Sequence, residues 1–343
     1  MNIYLQATQH KTLTRPPIWM MRQAGRYLPE YQKIRQKHSF LEMIRTPDIA
    51  TEITLQPITR FGMDAAILFC DILVTAELLG SQLEFVEKKG PIIDNPIRSE
   101  SDIQQIPKHN TSDYLNYVTQ AIQQLKQELP SHVPLLGFAG APFTVASYMI
   151  EGKSAPQLPT IKQLIGKNPT VLTQLLDKLT EVTIDYLGMQ IDAGVDSIQL
   201  FDTWAGELSW LDVQEYSLNP IKKITTALKQ KYPTTPITLF TKQTSRIVPF
   251  VPSLNIDILS VDWQSSLPFI RQNIPSNIGL QGNLDPQLLS ADVNVLKERV
   301  HTILNDMAPY NGYIFNLGHG ILPTTPFDNV HRVVDWVKQF SKN

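Results

Sequence analysis

Eight short apolar runs, alternating with amphipathic stretches of helical period, constrain this chain more than anything else in it. They occupy 18–21, 65–70, 135–138, 197–201, 237–240, 257–261, 278–281 and 313–316. Runs of this length read as buried strands, and helices between successive strands imply a parallel sheet with a helical cover. A count of eight favours closure into a barrel over an open doubly wound sheet. The expected fold is α/β: a single-domain (β/α)8 TIM-type barrel over 1–343, with extra N-terminal helices and a long loop near the barrel mouth. That loop is 151–169, which carries three prolines with scattered Gly and Lys.

Several helices carry their own end signals. Thr46 followed by Pro47 reads as an N-cap and first-turn proline, opening a helix to Phe61 with Gly62 as its stop. Across 171–190, Leu172, Leu175, Leu176, Leu179, Val182, Tyr186 and Met189 form one apolar face that ends near Gly194. A last helix starts after Thr325 and Pro326 and carries Val330, Val333, Val334 and Val337, with 341–343 expected to fray.

Composition narrows the function classes. A hydrophobic content of 42% in 343 residues supplies a large core. Lys plus Arg number 30 against 32 Asp plus Glu, so nothing in the overall charge asks for nucleic acid. Any polyanion must therefore be met by a local concentration of positive charge in a cleft. The single cysteine, Cys70, leaves no intrachain disulfide and no cysteine-rich metal site, which suits a reducing compartment. The first residues lack a basic segment followed by an apolar one, and no stretch approaches about 18 apolar residues. A cytoplasmic protein without membrane contact is expected.

No glycine-rich phosphate loop follows any run, and the seven histidines show no His-x-His or His-Glu-x-x-His spacing. No serine lies in a Gly-x-Ser-x-Gly elbow. Nucleotide binding is thus unsupported, and no metal is expected.

If the runs are barrel strands, the residues beyond their carboxyl ends share the face where barrel enzymes place their chemistry. Those ends supply Arg22 and Gln23, Asp71, the turn 140–148, Asp202 and Thr203, Lys242, Asp262, Asn283 and His319. Lys242, Asp262 and Asn283 read as structural, pairing with one another. The first run breaks abruptly from Ile-Trp-Met-Met into Arg22, Gln23, Ala24, Gly25 and Arg26. Two guanidiniums there need water, an acidic partner or an anionic ligand.

Asp71 sits in a very apolar stretch and is a partner for Arg22 or Arg26, a helix cap, or a functional anion. His319, between Gly318 and Gly320, is a hydrogen-bonded structural group or a site residue. Tyr148 is core or ligand contact, and Thr203 a cap or a contact. Cys70 reads as inert core.

Together, PPIWMMRQAGRYLPEY and GFAGAPFTVASYMIEG resemble the two signature stretches of the uroporphyrinogen decarboxylase family. The similarity continues through LQPITRFGMDAAILFCDILV, IQLFDTWAG, LQGNLDP and NLGHGILP, in the family's order. The resemblance implies a (β/α)8 barrel, a homodimer with facing clefts, and cofactor-independent loss of the four acetate carboxyls of uroporphyrinogen III, giving coproporphyrinogen III. It implies substrate binding by Arg22, Gln23, Ala24, Gly25, Arg26, Asp71, Tyr148, Thr203 and His319, with Asp71, Arg22 and Tyr148 in catalysis. Many members have serine at the position of Thr203, and the loop after Gly152 follows the family loosely.

Asp71 is expected to stay ionised, with Arg22 and substrate N–H donors outweighing its burial. Two rival readings are a corrinoid or thiol methyltransferase with a similar barrel and a non-catalytic tetrapyrrole carrier. The first needs a zinc-activated thiol, which one cysteine and this histidine spacing disfavour. The second gains nothing from an acid in a polyanion cleft.

Overall fold

The computed structural model describes residues 2–86 and 89–341. Its strands are β1 (Ala66–Ile67), β2 (Leu83–Val86), β3 (Gly90–Ile93), β4 (Leu135–Gly140), β5 (Ser197–Asp202), β6 (Ile237–Thr241), β7 (Ile258–Ser260), β8 (Gly279–Leu284) and β9 (Tyr313–Leu317). Seven of them form one curled parallel sheet in the order β1-β4-β5-β6-β7-β8-β9, and β2 and β3 make a separate antiparallel hairpin. Both faces of the large sheet are covered, which is why its strands are apolar without strict alternation.

The first expected strand, 18–21, is reduced to a single parallel bridge between Ile18 and Phe315. It still fills the gap between β9 and β1. On one side, Phe315 N donates to Pro17 O at 2.9 Å; on the other, Asp64 N donates to Ile18 O at 2.8 Å. Extended pairing fails because the Asp64 carboxylate takes Ile18 N–H at 2.8 Å, while Arg15 grips the same carboxylate at 2.7 and 2.9 Å. The second run also pairs over a shorter span than 65–70, since Phe69 N–H is diverted to Thr54 Oγ1 at 2.9 Å.

Inside the ring, Tyr4, Trp19, Met21, Leu136, Phe240, Ile258 and Ile314 pack as a buried cluster. Tyr4 comes from the short helix Ile3–Thr8, one of the extra N-terminal helices, and its hydroxyl accepts from Gln199 Nε2 at 3.1 Å. Gln281 links this floor to the wall, accepting from Trp19 Nε1 at 2.9 Å and donating to Ser260 Oγ at 3.0 Å. A buried polar network is tolerated because its members satisfy one another.

The helix Pro47–Phe61 ends at Gly62 with φ of 64°, as its sequence implies, although Thr46 makes no side-chain cap. The long apolar face belongs to Pro169–Ala193, ended by Gly194, and the last helix is Phe327–Gln339. Ser341 is exposed, and Lys342 and Asn343, expected to fray with it, lie outside the described residues.

The expected loop 151–169 is half helix, since Pro159–Lys167 is helical. Its start is capped by a side chain from the preceding helix: Glu151 accepts from Thr160 N at 2.8 Å, Thr160 Oγ1 at 2.7 Å and Ile161 N at 3.0 Å. A buried carboxylate on three donors at a helix N-terminus overrides the proline-rich appearance of the segment.

Asp64 closes the ring, so Asp64→Ala is expected to destabilise the fold by about 2–4 kcal/mol, because it strands Ile18 N–H and Arg15 together. Urea unfolding reads the loss, and a midpoint equal to that of the parent would contradict this role.

Candidate active site

All the barrel strands run in the same sense, so the residues after their carboxyl ends meet at one mouth. Arg22 opens it in the left-handed region, with φ of 61°. A non-glycine residue holds that conformation only when its surroundings over-determine it. Here they do: Gln23 N donates to Met20 O at 2.9 Å, Met21 N donates to Asn316 Oδ1 at 2.9 Å, and Ile321 N donates to Met21 O at 2.9 Å. Gly320 lies under the Arg22 side chain so closely that a Cβ there would stand 2.4 Å from Arg22 Cδ.

Gln23, expected to face ligand, turns inward and is fully buried. Its amide accepts from Met20 N at 3.1 Å and donates to Ala65 O at 3.0 Å, and its carbonyl accepts from Tyr27 Oη at 2.7 Å. It frames the loop. Ala24 and Gly25 are half-buried at the bend, whereas Arg22 and Arg26 are exposed. Among the described residues neither arginine forms an ion pair with a carboxylate.

Asp71 stands half-buried beyond β1, with Oδ1 accepting from Leu73 N at 2.7 Å. Burial lifts its carboxyl to about 6, the negative charge of Glu77 adds to the rise, and Leu73 N–H and Arg22 oppose it. In the free protein burial outweighs Arg22; the substrate N–H donors that the expectation counts together with Arg22 do not enter that balance. At pH 7 the group is still about nine-tenths ionised. Glu77 is itself buried and paired with Arg45.

Tyr148, near the end of the helix Pro142–Glu151, is half-buried with its ring edge-on to Trp204 at 6.1 Å. Burial raises its hydroxyl pKa, and the charges of Asp71 and Arg22 both reach it. Asp202, though at a strand end, is buried away from the mouth and held by Thr144 Oγ1 and Ser217 Oγ, both at 2.6 Å. Thr203 precedes the turn Trp204–Glu207 but makes no side-chain cap there, so its hydroxyl is not spent on the helix start.

His319 lies half-buried between the edges of Phe240 and Trp263, at 5.8 and 5.9 Å. Burial, then Arg22 and Lys242, push its pKa down to about 4 against the pull of Asp262. At neutral pH it is an uncharged imidazole with one N–H to donate. Gly318 permits the close fit, since a Cβ there would reach within 2.2 Å of Trp263 N.

Of the three residues read as a structural trio, two join. Asp262 accepts from Gln243 N and Thr244 N at 3.1 Å and from Ser265 Oγ at 2.5 Å, and Asn283 Nδ2 donates to Asp262 O at 2.8 Å. Lys242 has no ion pair among the described residues. Cys70 lies 3.8 Å from Tyr186 Oη with its thiol pushed up to about 12 by burial.

Trp204 is a group beside the mouth that sequence reasoning passed over, and Lys242, read there as structural, has no such pairing among the described residues. Trp204 adjoins Thr203 in the DTWAG stretch, and Lys242 follows the fifth run. Among the described residues no group of three His, Cys, Asp or Glu is placed to hold a metal ion. No helix among them is long and apolar enough to cross a membrane.

Comparison with known proteins shows the family and the fold. The profile of the family described as "Uroporphyrinogen decarboxylase (URO-D)" matches residues 1–340. The uroporphyrinogen decarboxylase of Ruthia magnifica subsp. Calyptogena magnifica is 43% identical over 99% of this chain and 99% of its own. That of Trichlorobacter lovleyi is also 43% identical, again over 99% of both. Among solved structures, a methyltransferase from Methanosarcina mazei superposes with a TM-score of 0.78 at 20% identity, covering 98% of this chain and 97% of that one. A B12-independent methionine synthase from Shewanella sp. gives 0.57 at 10% identity, over 94% and 93%. At such identities these two show a shared fold alone.

The raised pKa of Asp71 carries a stability cost. It is present in full above about pH 6 and disappears as pH falls toward the unfolded value near 3.8. Asp71→Asn is thus expected to stabilise the free protein at pH 7.5 by about 1–2 kcal/mol, less at pH 5. Urea unfolding at the two pH values reads the difference; a variant no more stable at pH 7.5 than the parent would contradict the burial argument.

Proposed function

The chain belongs to the uroporphyrinogen decarboxylase family, and from that premise we propose how its barrel mouth removes carbon dioxide from the acetate side chains of uroporphyrinogen. The observation that carries the proposal is a half-buried carboxylate, Asp71, set at a mouth where Arg22 and Arg26 form no ion pair among the described residues. A pyrrole-based octacarboxylate presents complementary chemistry, with N–H donors at its centre and anions around its rim.

Decarboxylation needs a sink for the electron pair left when the bond to CO2 breaks. Protonation of the substituted pyrrole at a ring carbon makes the ring cationic and supplies that sink. The acetate C–C bond then breaks, its electrons neutralise the ring and leave an exocyclic methylene, and a second proton converts the methylene to methyl as the ring proton departs. Nothing in this sequence requires an organic cofactor.

The ionised Asp71 accepts hydrogen bonds from pyrrole N–H groups and stabilises the positive charge as it develops. Because the carboxylate is already aimed by Leu73 N–H, little reorganisation is needed. Arg22 and Arg26 hold substrate carboxylates, bidentate where geometry allows. Arg22 is also a candidate route for the proton, though so weak an acid is better suited to positioning. Tyr148, Thr203 and the neutral His319 donate hydrogen bonds that orient the macrocycle, Ala24 and Gly25 let it approach backbone, and Gln23 keeps the loop in shape. We further propose a homodimer acting in the cytoplasm.

Chromatography of products tests this reading. Under anaerobic, reducing conditions and with a chelator present, purified protein is expected to convert uroporphyrinogen III to coproporphyrinogen III through species of intermediate carboxyl number. Persistence of the octacarboxylate with folded protein would refute it. The rate constant kcat/KM is expected to fall below about pH 6 as free Asp71 protonates, while the limb of kcat lies lower because substrate N–H donors favour the carboxylate. A profile flat down to pH 5 would remove Asp71 from the free-enzyme ionisation.

A further inference from the structure

The arginine loop occupies one sector of the mouth. In ring order the closing segment that carries it is followed by β1, β4, β5 and β6, so the end of β6 lies diametrically across from Arg22. Lys242 stands there, one residue beyond β6. Strands β5 and β6 pair Phe201 with Phe240 and end on the pair Asp202–Thr241, so Thr203 and Lys242 are the first residues beyond two adjacent strand ends. Phe240 belongs to the buried cluster inside the ring, Phe201 packs against it with the two rings 6.2 Å apart, and the Lys242 charge acts on His319 at the mouth.

The surroundings of Lys242 leave its charge unmatched. Asp262, the carboxylate on the neighbouring strand end, is occupied by two backbone N–H groups and Ser265 Oγ. The turn Trp204–Glu207 packs on the lysine stem, where a Cβ on Gly206 would lie 3.2 Å from Lys242 Cβ. Arg246 fastens that turn by donating to Gly206 O at 3.0 Å and Leu208 O at 2.8 Å. Lys242 is half-buried and forms no ion pair among the described residues, which leaves its ammonium open to an anionic ligand. Its positive charge is already felt at His319.

We propose that Lys242 is a substrate-carboxylate ligand, holding an unreacted acetate or propionate at the edge of the macrocycle farthest from the arginine loop, with Thr203 beside it. The assignment rests on the decarboxylase reading above and adds a second anchoring sector to it. A macrocycle with carboxylates all round its rim is poorly fixed by arginines on one side only. A cation across the ring fixes its tilt and in-plane rotation, and hence which acetate lies nearest the chemistry.

Steady-state kinetics with uroporphyrinogen III tests the assignment. Lys242→Met is expected to raise KM about tenfold or more with a smaller change in kcat, and Lys242→Arg, which keeps the charge, to hold KM within about threefold of the parent. Thermal melting of both variants separates loss of binding from loss of fold. A KM unchanged in Lys242→Met would overturn the proposal, as would an equal rise in both variants, which would assign the residue to packing. A parent protein that leaves the octacarboxylate intact would overturn the decarboxylase reading and this assignment with it.

Discussion

Everything at the mouth depends on how the barrel is closed between β9 and β1. The closing segment makes only one bridge to Phe315, and the Asp64 carboxylate supplies much of what a longer strand would have provided. Because pairing ends so early, the chain is free to turn at Met20–Gln23 and place Arg22 in the left-handed region directly over Gly320. The buried Gln23 amide then locks the turn to Ala65, on the strand side that leads to Asp71. One closure therefore sets both the cation loop and its spacing from the acid.

The electrostatics follow from that placement. Asp71 is held where water is scarce, so its charge is costly in the free protein and valuable once a cationic pyrrole forms beside it. The same low-polarity setting, reinforced by Arg22 and Lys242, keeps His319 neutral. On the proposed reading the mouth separates its functions: permanent cations for carboxylates around the rim, one carboxylate for the pyrrole centre, and neutral donors between them. A site that stores unfavourable burial at its reacting group trades stability for preorganisation.

Local signals in the sequence were enough for elements whose ends are written into neighbouring residues. The helix Pro47–Phe61 begins and ends where its proline and Gly62 place it, and the eight runs all lie in the ring. Sequence reasoning misjudged places where a distant group decides. Asp64, 46 residues from Ile18, cuts short the first strand. Glu151 caps a helix across a proline-rich segment that reads as loop. Gln23 sits among ligand-like arginines, yet its amide is consumed by backbone. For Lys242 the decisive fact is that no carboxylate among the described residues pairs with it, and that is visible only once β5, β6 and β7 stand side by side.

The central claim is that an ionised Asp71 stabilises charge made during decarboxylation and contributes less to holding the substrate. Single-turnover decarboxylation by Asp71→Asn, with substrate affinity measured on the same preparation, tests it most directly. The account predicts a rate lower by about 10²–10⁴-fold with affinity changed by less than about tenfold. Equal rates in variant and parent, or a loss confined to affinity, would contradict it.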